Sequence, residues 1–205
     1  MIGVVDYGMG NLLSVCNALE MIGAQVTIIT RPEDLQDVER IVLPGVGAFH
    51  DCMRNLEDKG FREALDEAVL REEKPILGIC LGMQVMARKG YEGHESEGLG
   101  WFDAEVVSLR SLDSSIRIPQ VGWNDVSLKE GSPLFQGLPR SPDLYFVHSY
   151  FMKCTSEDDV LGTCNYGGLV TAVVGRKNIF GMQFHPEKSQ EYGLKLLQNF
   201  IDWKS

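Results

Sequence analysis

Few side chains in this sequence combine the type and the setting that covalent chemistry needs, and Cys80 is the first of them. In "PILGICLGMQ" (Pro75 to Gln84) it stands between Gly78 and Gly82, where an apolar run ends and a helical pattern begins. G-I-C-L-G is the cysteine form of the G-x-S-x-G elbow, a strained strand-to-helix turn that lifts a nucleophile above a sheet. Such a turn also aims the N–H groups that open the next helix at the sulfur, where they favour the thiolate and can hold an oxyanion. The competing reading is a structural thiol whose glycine neighbours merely permit tight packing, since free cysteine is among the most buried residue types.

A nucleophile needs a base, and the chain has four histidines. In "GMQFHPEKS", His185 ends an apolar strand pattern, precedes Pro186 and has Glu187 two places on. Pro186 biases His185 toward extended backbone, and there residues i and i+2 project to one side, so Glu187 can orient and stabilise the imidazolium. Without Cys80, the same residues read as an ordinary surface turn. His148, inside the apolar "YFVHSY", reads as a core or supporting histidine, and His50 and His94 are assigned no chemistry. A second glycine-bearing loop, "LPGVGAF", follows another strand; its N–H groups at Gly45, Val46 and Gly47 can complete an oxyanion hole opposite that of Leu81, or the loop is simply a turn.

These residues need a scaffold, and the pattern along the chain supplies one. "IGVVD", "NLLSVCNALEMIG" and "AQVTIIT" read strand, helix, strand, the helix stopping at Gly23. "RIVLPG" is a third strand, "FREALDEAVLREEK" a helix with Phe61, Leu65, Ala68 and Val69 on its apolar face, "PILGI" a fourth strand, and "LGMQVMARK" a further helix. The expected fold class is α/β: a doubly wound, mostly parallel central sheet with helices on both faces. Sites in such sheets lie at the carboxyl ends of the strands. From about Gly90 a series of strands separated by turn residues predicts added antiparallel strands in the C-terminal half, and "SQEYGLKLLQNFIDWK" an amphipathic closing helix with Leu194, Leu197, Phe200 and Ile201 on its apolar side.

At 205 residues, with 44% hydrophobic and 23% charged residues, the chain fits a single domain, 1–205, able to bury roughly 70% of the surface it exposes when unfolded. Five scattered cysteines with no C-x-x-C pair predict reduced thiols and no zinc site. A net charge of −10 with no basic stripe argues against nucleic acid as a partner. Neither a signal-peptide pattern nor a membrane-length apolar run is visible, so no membrane association and a cytoplasmic location are expected.

Taken together, "DYGMGNL", "LPGVGAF", "GICLGMQ", "GLGW", "GWN", "YFVHSY" and "QFHPEKS" resemble the triad-type (class I) glutamine amidotransferases, and within them the glutaminase subunits of imidazole glycerol phosphate synthase. The resemblance runs along nearly the whole chain, and "PGVGAF" is its most selective mark. It implies Cys80 as nucleophile, His185 as general base and acid, and Glu187 as the orienting carboxylate. It further implies that Gly47, Gln84, Glu92, Ser149 and Tyr150 surround bound L-glutamine, and that Asn11, Trp123, Tyr145 and Lys188 face a partner. Gln84 also follows from spacing, one helical turn beyond Cys80. Two departures stand out: "GYEG" around Glu92, where the family often has Ser-Glu-Glu, and Gln120-Val121, where it usually has His-Met.

The function so implied is hydrolysis of L-glutamine through a thioester, with ammonia delivered to a (β/α)8-barrel cyclase subunit in histidine biosynthesis, the two chains forming a heterodimer. No cofactor and no metal are implied. The family also implies low activity until the partner binds its nucleotide, with a flip of the "PGVG" backbone as the gate. Rival readings are the glutaminase subunit of another synthase, a stand-alone cysteine hydrolase or peptidase on the same fold, and a silent docking subunit.

Overall fold

A computed structural model describes residues 1–204. The strand-helix-strand opening is β1 (Ile2–Val5), α1 (Leu12–Met21) and β2 (Val26–Ile29), with the Asn11 side chain capping α1 by accepting from the Ser14 N–H at 3.4 Å. β3 (Arg40–Gly45) leads into α2 (Phe49–Asp58) and α3 (Phe61–Asp66), whose last part widens into a π turn over Glu67–Arg71. That widening carries Ala68 and Val69 under the sheet beside Phe61 and Leu65, as the apolar spacing predicts.

β4 (Ile76–Cys80) is buried along its whole length and ends on the cysteine. The helix expected over 81–89 is cut short. α4 covers only Leu81–Gln84, and after two turn residues the chain becomes β5 (Ala87–Gly90), paired with β6 (Ser96–Glu97) and β7 (Phe102–Ser108). The apolar residues Val85, Met86 and Ala87 are all buried, so a run that satisfies helical spacing is here packed as turn and strand. The remaining strands are β8 (Gln120–Asp125), β9 (Ser127–Leu128), β10 (Asp143–His148), β11 (Tyr150–Cys154), β12 (Val160–Asn165), β13 (Leu169–Arg176) and β14 (Ile179–Met182), followed by α5 (Gln190–Asp202).

The central sheet has the order β2-β1-β3-β4-β14-β13-β12-β9. It is parallel from β2 to β14 and antiparallel from β13 to β9. Side chains alternate faces as a pleated strand requires: Ile41 and Leu43 join the layer under α2 and α3, whereas Val42, Leu77 and Ile79 join the layer under α1 and α5. In α5 the buried positions are Leu196, Leu197 and Phe200, with Leu194 and Ile201 partly exposed, so the apolar stripe is shifted slightly from the one the sequence suggests. The C-terminal strands divide. β9, β12 and β13 extend the central sheet, while β8 with β10, and β11 with β7, β5 and β6, form two smaller sheets. β14, read from sequence as one of the added strands, instead lies parallel to β4 in the middle of the main sheet. No helix among the described residues is long and apolar enough to cross a membrane.

Candidate active site

The pairing of β4 with β14 is what brings the two chemical motifs together. Ile79 pairs with Met182, so the register carried one step further sets Gln183 beside Cys80 and brings His185 just past the strand ends. On the other side, Gly45 pairs with Cys80 itself, which brings the Gly45–Gly47 loop alongside the cysteine.

Cys80 has φ 54 and ψ −109, a conformation that a residue with a Cβ adopts only under constraint. Its two glycine neighbours make this possible. A Cβ on Gly82 would lie 1.8 Å from the carbonyl oxygen of Leu43, and one on Gly78 would lie 2.6 Å from that of Gly82. The turn therefore closes only because β3, β4 and the start of α4 touch backbone to backbone. Cys80 is 7% exposed and opens onto a pocket of about 300 Å³.

His185 is extended, at φ −98 and ψ 97, as Pro186 requires. Glu187 reaches it by a different route from the one the spacing suggests: residues 186–188 form a single 3-10 turn and do not continue the extended chain. The result is the same contact, His185 Nδ1 lying 2.7 Å from Glu187 Oε1, with both side chains almost fully buried. The other ring nitrogen, Nε2, is buried with no conventional hydrogen-bond partner. Burial alone would lower the imidazole pKa, but interaction with the Cys80 sulfur and the hydrogen bond and charge of Glu187 outweigh it and raise the value to about 9. Ser189, which the sequence reading passed over, clamps this turn: its hydroxyl donates to the His185 carbonyl at 2.7 Å and accepts the Tyr145 N–H at 3.0 Å.

A strained cysteine at a strand end, a buried histidine beside it and a carboxylate behind the histidine form a nucleophile-base-orienter arrangement. The family model for class-I glutamine amidotransferases matches residues 3–203. The chain belongs to that family. Among the relatives of this amidotransferase chain, imidazole glycerol phosphate synthase subunit HisH 1 of Campylobacter jejuni is 49% identical over 201 residues, covering 98% of this chain and 99% of that one. Subunit HisH of Agrobacterium fabrum is 45% identical over 213 residues, covering 99% of each. Among solved structures, PurLQS from Thermotoga maritima superposes with a TM-score of 0.77 at 21% identity, covering 98% of this chain and 97% of that one. A structure described as a glutamine amidotransferase gives 0.76 at 20%, covering the same shares. At such identities these two likenesses show the fold.

The pocket gathers most of the residues that the amidotransferase resemblance singled out. Val46, Gly47 and Leu81 line it together with Cys80 and His185. Gln84, Glu92, Ser149 and Tyr150, expected around glutamine, lie on its wall, and so does Lys188, expected to face a partner, while Gly45 does not line it. Gly47 has φ 114, a left-handed conformation suited to glycine. Glu92 is tied down by accepting the Phe49 N–H at 2.9 Å, which anchors the polar loop to the start of α2. Gln84 donates to the Tyr150 carbonyl at 2.8 Å and to Gln183 Oε1 at 3.1 Å.

Trp123 and Tyr145 face each other across β8 and β10 with ring centroids 5.9 Å apart, and the Lys188 ammonium sits 5.9 Å from the Tyr145 ring centre. These three form one aromatic and cationic cluster; Asn11 is at the head of α1, which packs beside the 186–188 turn. His148 is a supporting residue. Its Nδ1 lies 2.8 Å from the Tyr150 carbonyl and its Nε2 3.0 Å from the Gln120 amide, and burial pushes its pKa down to about 4. The departure at Gln120 is thus a buried contact to His148, while Val121 is exposed. His50 and His94 lie with ring centroids 4.8 Å apart and planes tilted by 47°, and neither lines the pocket.

Proposed function

We propose that this chain is the glutaminase subunit of imidazole glycerol phosphate synthase. On this reading it hydrolyses L-glutamine at Cys80 and passes ammonia to a (β/α)8-barrel cyclase subunit of histidine biosynthesis. The observation that carries the chemistry is the buried His185–Glu187 pair, held with the unpartnered Nε2 beside the elbow cysteine at the wall of an open pocket. The full-length similarity to the two HisH subunits supports the choice among amidotransferases.

In the proposed mechanism the Cys80 sulfur attacks the side-chain amide carbon of glutamine. The negative oxygen is met by the N–H groups of Leu81 and the Gly45–Gly47 loop. Because the His185 pKa is about 9, the imidazole is protonated near neutral pH and can give its proton to the departing nitrogen as the C–N bond breaks. Ammonia leaves and a glutamyl thioester remains. Water, deprotonated by the now neutral His185, attacks the thioester; the C–S bond breaks, glutamate leaves, and the Cys80 thiolate is restored beside the protonated His185. Glu187 holds the ring orientation through Nδ1 and balances the imidazolium charge. Gln84, Glu92, Ser149 and Tyr150 bind the substrate on this reading. The Trp123, Tyr145 and Lys188 cluster, with Asn11, forms the docking face, and the Gly47 loop is the gated element.

The test is to mix the chain with the cyclase subunit and follow product formation from glutamine and from added ammonium salt. Glutamine-dependent synthesis that disappears in Cys80→Ala while ammonia-dependent synthesis persists is expected. Glutamine-dependent synthesis that survives Cys80→Ala rejects the role of the cysteine, and peptide turnover by the lone chain with indifference to glutamine favours a hydrolase instead.

A further inference from the structure

Besides the histidine, the Cys80 sulfur has two polar neighbours: the Val147 carbonyl, 4.0 Å away, which accepts from the thiol, and the side-chain nitrogen of Gln183, 3.7 Å away on a completely buried side chain that can donate to the sulfur. Which end of that amide faces the sulfur is decided by a chain of contacts that starts at a backbone group. The Tyr150 carbonyl can only accept, so the Gln84 atom 2.8 Å from it must be the amide nitrogen. The same nitrogen lies 3.1 Å from Gln183, so Gln183 must turn its oxygen to Gln84. Its NH2 is then left pointing at the sulfur. The reverse orientation would set two donors against each other at one end and an acceptor against the sulfur at the other. The Gln183 backbone is fixed as well, its N–H donating to the Ala172 carbonyl at 2.9 Å.

We propose that Gln183 is a further catalytic residue: its amide N–H donates to the Cys80 sulfur and stabilises the thiolate that attacks the substrate, while Gln84 is the positioning residue that fixes the direction of that donation. The inference rests on Cys80 being the nucleophile proposed above. A donor directed at an anion in a buried site favours the charged form and requires no reorganisation when attack begins. It also explains a buried carboxamide in a strand-end position where an apolar residue would pack at lower desolvation cost. The elbow holds the sulfur by its backbone; Gln183 holds it by its charge.

The experiment reads the sulfur without using glutamine. The full chain is treated with iodoacetamide over a range of pH, and modification of Cys80 is followed by peptide mass spectrometry, which separates it from the other four cysteines. In Gln183→Met the pH profile of Cys80 alkylation should move to higher pH, and glutaminase kcat should fall about ten- to a hundredfold with KM little changed, as for loss of a hydrogen bond to a charged group. Gln84→Met keeps the Gln183 side chain but frees its orientation, and should move the alkylation profile the same way by less. Profiles that superimpose on the parent overturn the proposal. If Gln183→Met does not fold, the Gln84→Met profile decides alone by the same criterion. A moved profile in a chain that never hydrolyses glutamine would leave this inference standing and sink the proposed function, so the two failures are distinguishable.

Discussion

Gly82→Ala tests whether the backbone contact at the elbow, and not the sequence motif as such, holds the nucleophile. The new methyl would start 1.8 Å from the Leu43 carbonyl oxygen, about 1.6 Å short of the 3.4 Å at which ordinary contact begins. Both partners are backbone, so no side-chain rotation relieves the clash; either β3 or the start of α4 must move. Overpacking of this kind costs about 1–3 kcal/mol, and a domain of this size loses roughly 2–4 °C of Tm per kcal/mol, giving a drop of about 2–12 °C. The moving segment carries Cys80, Leu81 and Gln84, and a displacement on the order of 1 Å at a reacting atom costs about a hundredfold in rate. Thermal melting and glutamate release measured side by side should therefore both fall, the activity by far more than moderate destabilisation explains. Gly78→Ala, with its nearest contact at 2.6 Å, should show the same pattern more mildly. Normal activity and an unchanged Tm in Gly82→Ala would refute the idea that contact between β3 and the start of α4 defines the turn.

Replacing Glu187 by Gln keeps a hydrogen-bond acceptor for His185 Nδ1 but removes the charge, so the imidazole pKa should fall from about 9 and kcat should drop on the order of a hundredfold or more, read from steady-state glutamate release. His185, raised from 6.5 to about 9 on folding, contributes stability that is complete below pH 6.5 and lost as the pH rises through 9; the parent should lose Tm across that window relative to His185→Gln. His148, lowered to about 4, acts in the opposite sense. Its contribution is complete above pH 6.5 and lost as the pH falls toward 4, and His148→Gln should flatten the acid limb of the same Tm–pH curve. Tyr7→Phe leaves the Pro44 carbonyl, which accepts the buried Tyr7 hydroxyl at 2.9 Å, without its donor. A loss of about 1–3 kcal/mol in denaturant melts is expected, with glutaminase activity reduced because Pro44, near the end of β3, immediately precedes the Gly45–Gly47 loop beside Cys80.

The parallel half of the fold was legible because its signals are local: apolar strands of four to six residues, helices ended by glycine, and a cysteine set between two glycines where a strand pattern gives way to a helical one. The C-terminal half was less so. "IFGMQF" has the same apolar texture whether it pairs with β13 alone or also inserts beside β4, and nothing in its own residues states that a strand from the end of the chain fills the middle of the sheet. The helix read over 81–89 failed for a related reason. Val85, Met86 and Ala87 satisfy helical periodicity, yet their carbonyls accept from the N–H groups of Leu99, Phe102 and Gly100, far enough along the chain that a window of a dozen residues misses them. Cys80 and His185 stood out because cysteines and histidines are scarce, five and four in the chain, and Glu187 because it lies two places beyond His185. Gln183 and Ser189 did not, since a glutamine or serine beside a motif carries no sign of what it faces until the register is known.

That register also says why the chemical groups are divided as they are along the chain. Cys80 and the Gly45–Gly47 loop end neighbouring strands β4 and β3, and His185 follows β14 on the other side, so the proposed nucleophile, oxyanion loop and base come from three adjacent parallel strands. Each is fixed by a different kind of interaction: the cysteine by backbone contact through Gly78 and Gly82, the base by the Ser189 clamp onto β10, the loop by the Tyr7 hydroxyl. Perturbing the Ser189 clamp should leave the other two in place, whereas Gly82 and Tyr7 both bear on β3, at Leu43 and Pro44. Ser189→Ala should therefore add to either Gly82→Ala or Tyr7→Phe in its effect on stability, within about 0.5 kcal/mol, because its partners His185 and Tyr145 are not shared with them. The effects of these changes on glutaminase rate should fall short of additive, because attack needs all three groups at once. Additive losses in both quantities would mean that the three elements do not converge on one reacting centre.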